Sequence, residues 1–186
     1  EVDLLYKHPN IEYLFLPYET EAYEIKKSVS EPIKVCHSPT NRYYKGSEDI
    51  IKVCNELENE GVIKFLLVEG KPQKEVIRIK KGCDIYIDQI HNRGGWGYGM
   101  SSIESLSMGL VCMTELVEQY QNFIPDHPFV NINKTTLKEK IIQLSIDKEM
   151  LIKKKIDSKK WVKKYHDIES VYSSLQSYYK KKLWIK

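Results

Sequence analysis

The chain has 186 residues, 41% of them hydrophobic and 30% charged, with a formal net charge of +3 at neutral pH. That length suits one domain, or one domain with part of another, and is enough to bury a core. No stretch nears the roughly 20 apolar residues of a membrane span, the charge is too small to argue for nucleic acid, and Glu1 and Asp3 stand where a signal peptide would be basic.

The chain opens in mid-pattern without a methionine, and the expectation is a piece of a longer protein. Asn10–Pro17 (NIEYLFLP) is an apolar run ending in proline, and Tyr18–Glu31 is polar and acidic. Residues 1–31 therefore read as the end of an N-terminal domain plus a linker, and residues 32–186 as the main domain. Ile33–His37 reads as a strand, followed by the loop Ser38–Gly46 (SPTNRYYKG). Ser47 reads as the cap of a helix with Glu48 and Asp49 in its first turn and Ile50, Ile51, Val53, Cys54 and Leu57 as its apolar stripe. Gly61 ends it, and Val62–Val68 reads as a buried strand. Pro72–Lys80 is helical, with proline near the first turn. Asp84–Asp88 is a third strand, whose two aspartates read as strand boundaries rather than metal ligands. Met100–Met108 is helical, Gly109 stops it, and Leu110–Met113 begins a fourth strand. Trp161, Tyr165, Ile168, Tyr172, Leu175, Tyr179 and Leu183 recur at spacings of four and three, which predicts one long C-terminal helix.

Strands alternating with helices predict an α/β fold, a doubly wound Rossmann-like parallel sheet flanked by helices. Ligands of such sheets bind at the carboxyl ends of the strands. Cys36, Cys54, Cys83 and Cys112 are widely spaced in apolar segments and read as buried free thiols, hence a cytoplasmic setting. The five histidines are scattered and give no zinc pattern. Lysines crowd the last third, at Lys153–Lys155, Lys159, Lys160, Lys163, Lys164 and Lys180–Lys182. Either a solvated helix face or peripheral contact with an anionic membrane surface fits that pattern.

Two segments carry candidate chemistry. In Gly94–Gly109 (GGWGYGMSSIESLSMG), Gly97 and Gly99 allow close backbone approach to a ligand. The amides of Met100, Ser101 and Ser102 would lie at a helix N-terminus, which favours a phosphate or diphosphate. Glu104 falls one turn later, where its carboxylate can accept from ribose hydroxyls. The plain alternative is a glycine-rich turn before an ordinary helix. In Ser38–Gly46, Arg42 and Lys45 could reach an anion over the sheet, and both suit a diphosphate.

Taken in order, SPTNRYYKG, an amphipathic helix, VIKFLLVEG, a helix, CDIYIDQ and GWGYGMSSIESLSMGLVCM resemble the group 1 glycosyltransferases of the GT-B fold, specifically their C-terminal nucleotide-sugar-binding domain. Gly97-Tyr98-Gly99, four residues, and Glu104-Ser105-Leu106-Ser107-Met108-Gly109-Leu110-Val111 match most of that family's signature, and Ser158–Asp167 resembles its C-terminal segment. The resemblance implies sugar transfer from a nucleotide-diphosphate sugar to an acceptor hydroxyl with retention, in polysaccharide or glycolipid assembly. It implies no metal, and an acceptor held by a domain absent from this chain, which would then be inactive alone. It also implies that Glu104 holds the ribose and that Arg42 and Lys45, beside Gly46, hold the diphosphate. Gly97, Tyr98, Gly99, Met100 and Ser101 would line the phosphates and sugar, and Val68, Glu69 and Gly70 would lie near the base. Trp96 stands where the family has a glutamate that contacts the donor sugar. That departure keeps open a non-catalytic nucleotide-sugar-binding module. A dinucleotide-dependent oxidoreductase is the third reading, but the loop after the first strand has no G-x-G-x-x-G.

Overall fold

A computed structural model describes residues 13–25, 28–93, 97–121 and 123–184. Its strands are β1 (Ile33–His37), β2 (Ile63–Leu67), β3 (Ile85–Ile87), β4 (Val111–Thr114) and β5 (Val130–Asn131), all parallel in the order β2-β1-β3-β4-β5. Its helices are α1 (Arg42–Lys45), α2 (Ser47–Asn59), α3 (Gln73–Lys81), α4 (Met100–Ser107), α5 (Glu118–Gln121), α6 (Leu137–Ile146), α7 (Lys148–His166) and α8 (Ile168–Lys181).

The sheet is packed on both faces, so the inner strands β3 and β4 are buried at every position, while Lys34 of β1 and Lys64 of β2 are exposed. Val35, Ile85, Ile87, Val111 and Met113 join Ile50 and Leu57 of α2 and Leu137 and Ile141 of α6 in one core. The intervening residues Cys36, Tyr86 and Cys112 point the other way, into a second core with Ile103 and Leu106 of α4 and Trp161 of α7. This is the doubly wound α/β architecture that the alternation of elements predicts. The four cysteines are buried and none forms a disulfide. Among the described residues no helix is long and apolar enough to cross a membrane.

Three local expectations are corrected. The segment read as a loop, Ser38–Gly46, contains a helical turn: the Asn41 side chain accepts from the Tyr44 amide at 3.2 Å and caps α1, and Gly46 at φ +65° ends it. Arg42 and Lys45 are thus on a helix. Ser47 does not cap α2. Gly46 occupies the cap position, and the Ser47 hydroxyl is turned inward, 2.8 Å from Nε2 of the buried His37. The predicted single C-terminal helix is two, because Asp167 is extended (φ −59°, ψ 141°) and its carboxylate accepts from the Glu169 amide and the Thr20 hydroxyl. The apolar stripe is therefore not one buried face. Trp161 is buried, whereas Ile168 and Tyr172 are half exposed and Leu183 is 89% exposed.

At the lower end of the sheet Asp84 is fully buried, accepting from the amides of Ser30 and Lys34 and from Lys155 Nζ at 3.1 Å. The described part of the N-terminal segment lies along the end of α7, where the Tyr18 amide donates to the His166 carbonyl at 2.7 Å. It also covers Gly109, whose φ is +72° and where a Cβ would lie 2.9 Å from Ile25.

Candidate functional site

After β1 the chain moves outward to β2, then crosses back over β1 to place β3 on its other side. The loops leaving β1 and β3 diverge there, which opens a crevice beyond the carboxyl ends of the strands. A cleft of 440 Å³ occupies this position. Ser38 and Thr40 follow β1, Gly70 follows β2, Gln73 and Lys80 come from α3, and Ser101 and Glu104 come from α4. Clefts of similar size occur away from the switch point. One of 410 Å³ flanks Pro32 and Gly61, where β1 and β2 begin. One of 330 Å³ runs along α7, where Lys154, Lys160 and Lys164 are interspersed with Asp126 and Asp157.

Glu104 is only 9% exposed, and both carboxylate oxygens are engaged. Oε2 accepts from Lys80 Nζ at 3.1 Å, and Oε1 accepts from the Gln73 amide. Lys80 itself is fully buried, with its ammonium 2.6 Å from Ser101 Oγ and 4.4 Å from the centre of the Tyr86 ring. Burial of a cation is tolerated only when it is paired and hydrogen-bonded in this way.

The first turn of α4 faces the same cleft through Met100 and Ser101. No side chain caps that turn; the amides of Met100 and Ser101 have no intrahelical acceptor, whereas the Ser102 amide, also expected at the phosphates, already donates to the Gly99 carbonyl at 3.0 Å. Gly99, at φ −144°, is ordinary extended backbone, but a Cβ there would meet nothing within 4 Å among the described residues.

Lys45 reaches from α1 to the residues that follow β3. Its Nζ is 2.5 Å from Oδ1 of the fully buried Asp88 and 3.1 Å from Gln89 Oε1, while Asp88 Oδ2 accepts from the Ser102 hydroxyl at 2.6 Å. Asp88 thus joins α1 to the first turn of α4 beneath the crevice. Arg42 reaches the loop after β2. Its fork donates to Glu69 at 2.8 and 2.7 Å and its remaining nitrogen to Glu48 at 3.1 Å. The guanidinium holds the Glu69 carboxyl below its ordinary pKa.

The fold therefore gathers Gly70, Met100, Ser101 and Glu104 about one cleft, whereas Arg42, Lys45 and Glu69 are not among its lining residues and are engaged in ion pairs. Three predicted positions do something else with their side chains or backbone. Tyr98 points into an aromatic cluster, with its hydroxyl 3.2 Å from His166 Nε2 and its ring 4.9 Å from Phe129. Gly97, at φ +108°, is needed for packing, since a Cβ would fall 2.5 Å from the Leu116 side chain. Gly46 packs against the loop after β3 rather than lining the cleft, as a Cβ would lie 2.6 Å from Ile90 and 2.8 Å from His91. Trp96 lies outside the described residues. Sequence reading missed Lys80 and Gln73, although Gln73, Val76, Ile77 and Lys80 share one face of α3, and a lysine within an apolar stripe was the available signal.

No family model matches the sequence, and no curated protein matches it significantly. Solved structures do resemble it. HepE of Anabaena, in complex with UDP and glucose, has a TM-score of 0.64 at 10% identity, over 91% of this chain and 57% of that one. TarM of S. aureus, as a mutant in complex with Fondaparinux, alpha-GlcNAc-glycerol and UDP, has a TM-score of 0.67 at 14% identity, over 95% and 41%. An alpha-glucosyltransferase in complex with UDP and a DNA 13-mer has a TM-score of 0.64 at 9% identity, over 95% and 60%. The fold is that of GT-B glycosyltransferases, and the chain spans about half the length of these structures.

Proposed function

We propose that the chain is the donor-binding part of a glycosyltransferase that moves a sugar from a nucleotide-diphosphate sugar to an acceptor hydroxyl. The observation that carries this reading is Glu104, a nearly buried carboxylate anchored on both oxygens in the switch-point cleft, one turn from the uncapped start of α4. A carboxylate in that position suits the hydroxyls of a ribose, and helix amides in front of it suit the phosphates. The UDP complexes of proteins that share the fold support the same pairing of fold and ligand.

On this reading Arg42 and Lys45 meet the charge of the leaving diphosphate once it displaces Glu69 and competes with Asp88. The diphosphate is held by protein cations and helix amides, and no metal is required. The acceptor, in polysaccharide or glycolipid assembly, is held by a further domain, and the transfer retains anomeric configuration. The chain works in the cytoplasm, and its exposed C-terminal lysines, such as Lys153 and Lys160 but not the buried Lys155, reach the inner membrane face. Alone it binds donor weakly and does not turn over.

A non-catalytic nucleotide-sugar-binding module is the second reading, favoured by one observation: Arg42 and Lys45 are already paired with carboxylates. Transfer activity in a protein that also carries an acceptor domain separates the two.

Thermal stability in the presence of UDP, GDP, ADP, CDP, their sugars and NADH tests donor binding, because a ligand specific for the folded state raises it. Stabilisation by one nucleoside diphosphate is expected, with about tenfold weaker binding after Glu104→Ala, the loss of a hydrogen bond to a charged group. No response to any nucleoside diphosphate refutes the proposal, and a response to NADH alone makes the chain a dinucleotide-binding protein.

A further inference from the structure

Lys80 holds a position that the donor-site reading does not by itself explain. All three of its N–H donors are spent within the protein. They go to Ser101 Oγ at 2.6 Å, the Ser101 carbonyl at 3.3 Å and Glu104 Oε2 at 3.1 Å. The Tyr86 hydroxyl, 2.7 Å from Ser101 Oγ, closes the network from the sheet side. One buried ammonium therefore fixes the first turn of α4 and the carboxylate that follows it. It has no free donor for a ligand.

A carboxylate offers about four lone-pair directions. Lys80 and the Gln73 amide each take one, on different oxygens, which locks the plane of the group. One direction on each oxygen remains, and the side chain is 11% exposed where it lines the cleft. Two adjacent acceptors, held rigidly side by side, match two adjacent hydroxyls. The geometry points to Lys80 as a positioning residue, with Gln73, that presents Glu104 as a receptor for the vicinal 2′,3′-diol of a ribonucleotide and so makes the site selective for ribose over deoxyribose. This rests on the donor-site reading.

The test is the ratio of dissociation constants for a nucleoside diphosphate and its 2′-deoxy form, by calorimetry on the chain and its variants. UDP, GDP, ADP and CDP are each compared with the deoxy counterpart. The parent chain is expected to prefer the ribose form about tenfold, the worth of one hydrogen bond to a charged acceptor. Lys80→Met, shown folded by circular dichroism, is expected to bring that ratio below about twofold while the deoxy form binds nearly as before. Lys80→Gln, which keeps a donor for Ser101 but cannot reach Glu104 with a charge, is expected to do the same. A merely structural lysine would weaken both ligands in parallel and leave the ratio unchanged, which overturns the inference. If neither variant folds, Lys80 is structural and the positioning role falls. Absence of any nucleotide binding by the parent chain overturns the donor-site reading itself, whereas binding without ribose preference overturns only the diol receptor.

Discussion

Gly46→Ala should be among the most damaging single-methyl additions in the protein. Gly46 is in the left-handed region at φ +65°, and its hydrogen position faces the loop after β3. A Cβ would lie 2.6 Å from Ile90 Cγ1, 2.8 Å from His91 Cδ2 and 2.8 Å from the Ile90 carbonyl oxygen, distances at which something must shift. The side chains could rotate, but the carbonyl is backbone, and the Ile90 amide already donates to the Lys45 carbonyl at 3.2 Å. The left-handed conformation costs an alanine about 1 kcal/mol, and overpacking adds about 1–3 kcal/mol, so the expected loss is about 2–4 kcal/mol. Gly61→Ala is the matched control, because Gly61 has φ +73° and nothing within 4 Å of a Cβ. It should lose only the conformational part, about 1 kcal/mol. Urea denaturation of both variants gives the difference directly. If Gly46→Ala is within about 0.5 kcal/mol of Gly61→Ala, the close approach of α1 to the β3 loop is not what requires this glycine.

His37 and His166 are buried, and burial pulls both from 6.5 down to about 4. The folded state resists protonation while the unfolded chain takes up a proton near 6.5, so this stability is present above that pH and lost as the pH falls towards 4. The loss should approach about 1.4 kcal/mol per pH unit for each histidine. Urea midpoints from about pH 7.5 to 5 check it, and a flat profile would contradict the burial argument. Lys155→Met should cost about 3–5 kcal/mol by leaving Asp84 with no cation in the core, whereas Lys153→Met, at an exposed position of the same helix, should be neutral by the same denaturation assay. Arg42→Ala combined with Lys45→Ala should weaken a nucleoside diphosphate at least tenfold more than the nucleoside, measured by calorimetry. Equal losses would remove both from a diphosphate site.

Much of the fold is carried by local pattern. The runs Ile33–His37 and Val62–Val68 are legible because apolar residues predominate in a strand packed on both faces, even with Lys34 and Lys64 exposed. The helices at Ser47 and Met100 show because amphipathic periodicity and flanking glycines are short-range features. The break at Asp167 escaped for a related reason: the stripe Trp161–Leu183 keeps its spacing through the turn, and only the Asp167 carboxylate, capping α8 and bonded to Thr20, reveals the stop. Helix α6 too went unread, although Thr136 and Glu139 have capping-box spacing and Leu137, Ile141 and Leu144 form an apolar face.

Local sequence is enough to set the alternation of strands and helices, the burial of the four cysteines and the location of Glu104 one turn into a helix after a glycine cluster, because each depends on residues close in the chain. Tertiary structure alone decided that β3 crosses to the far side of β1, which makes the crevice, and that Lys80 meets Glu104 from a helix 24 residues earlier. It also decided that Gly46 and Gly97 serve packing, and that Arg42 and Lys45 lie against Glu69 and Asp88. A buried ion pair or a close approach depends on what the rest of the chain brings to that point, and no window along the sequence contains it.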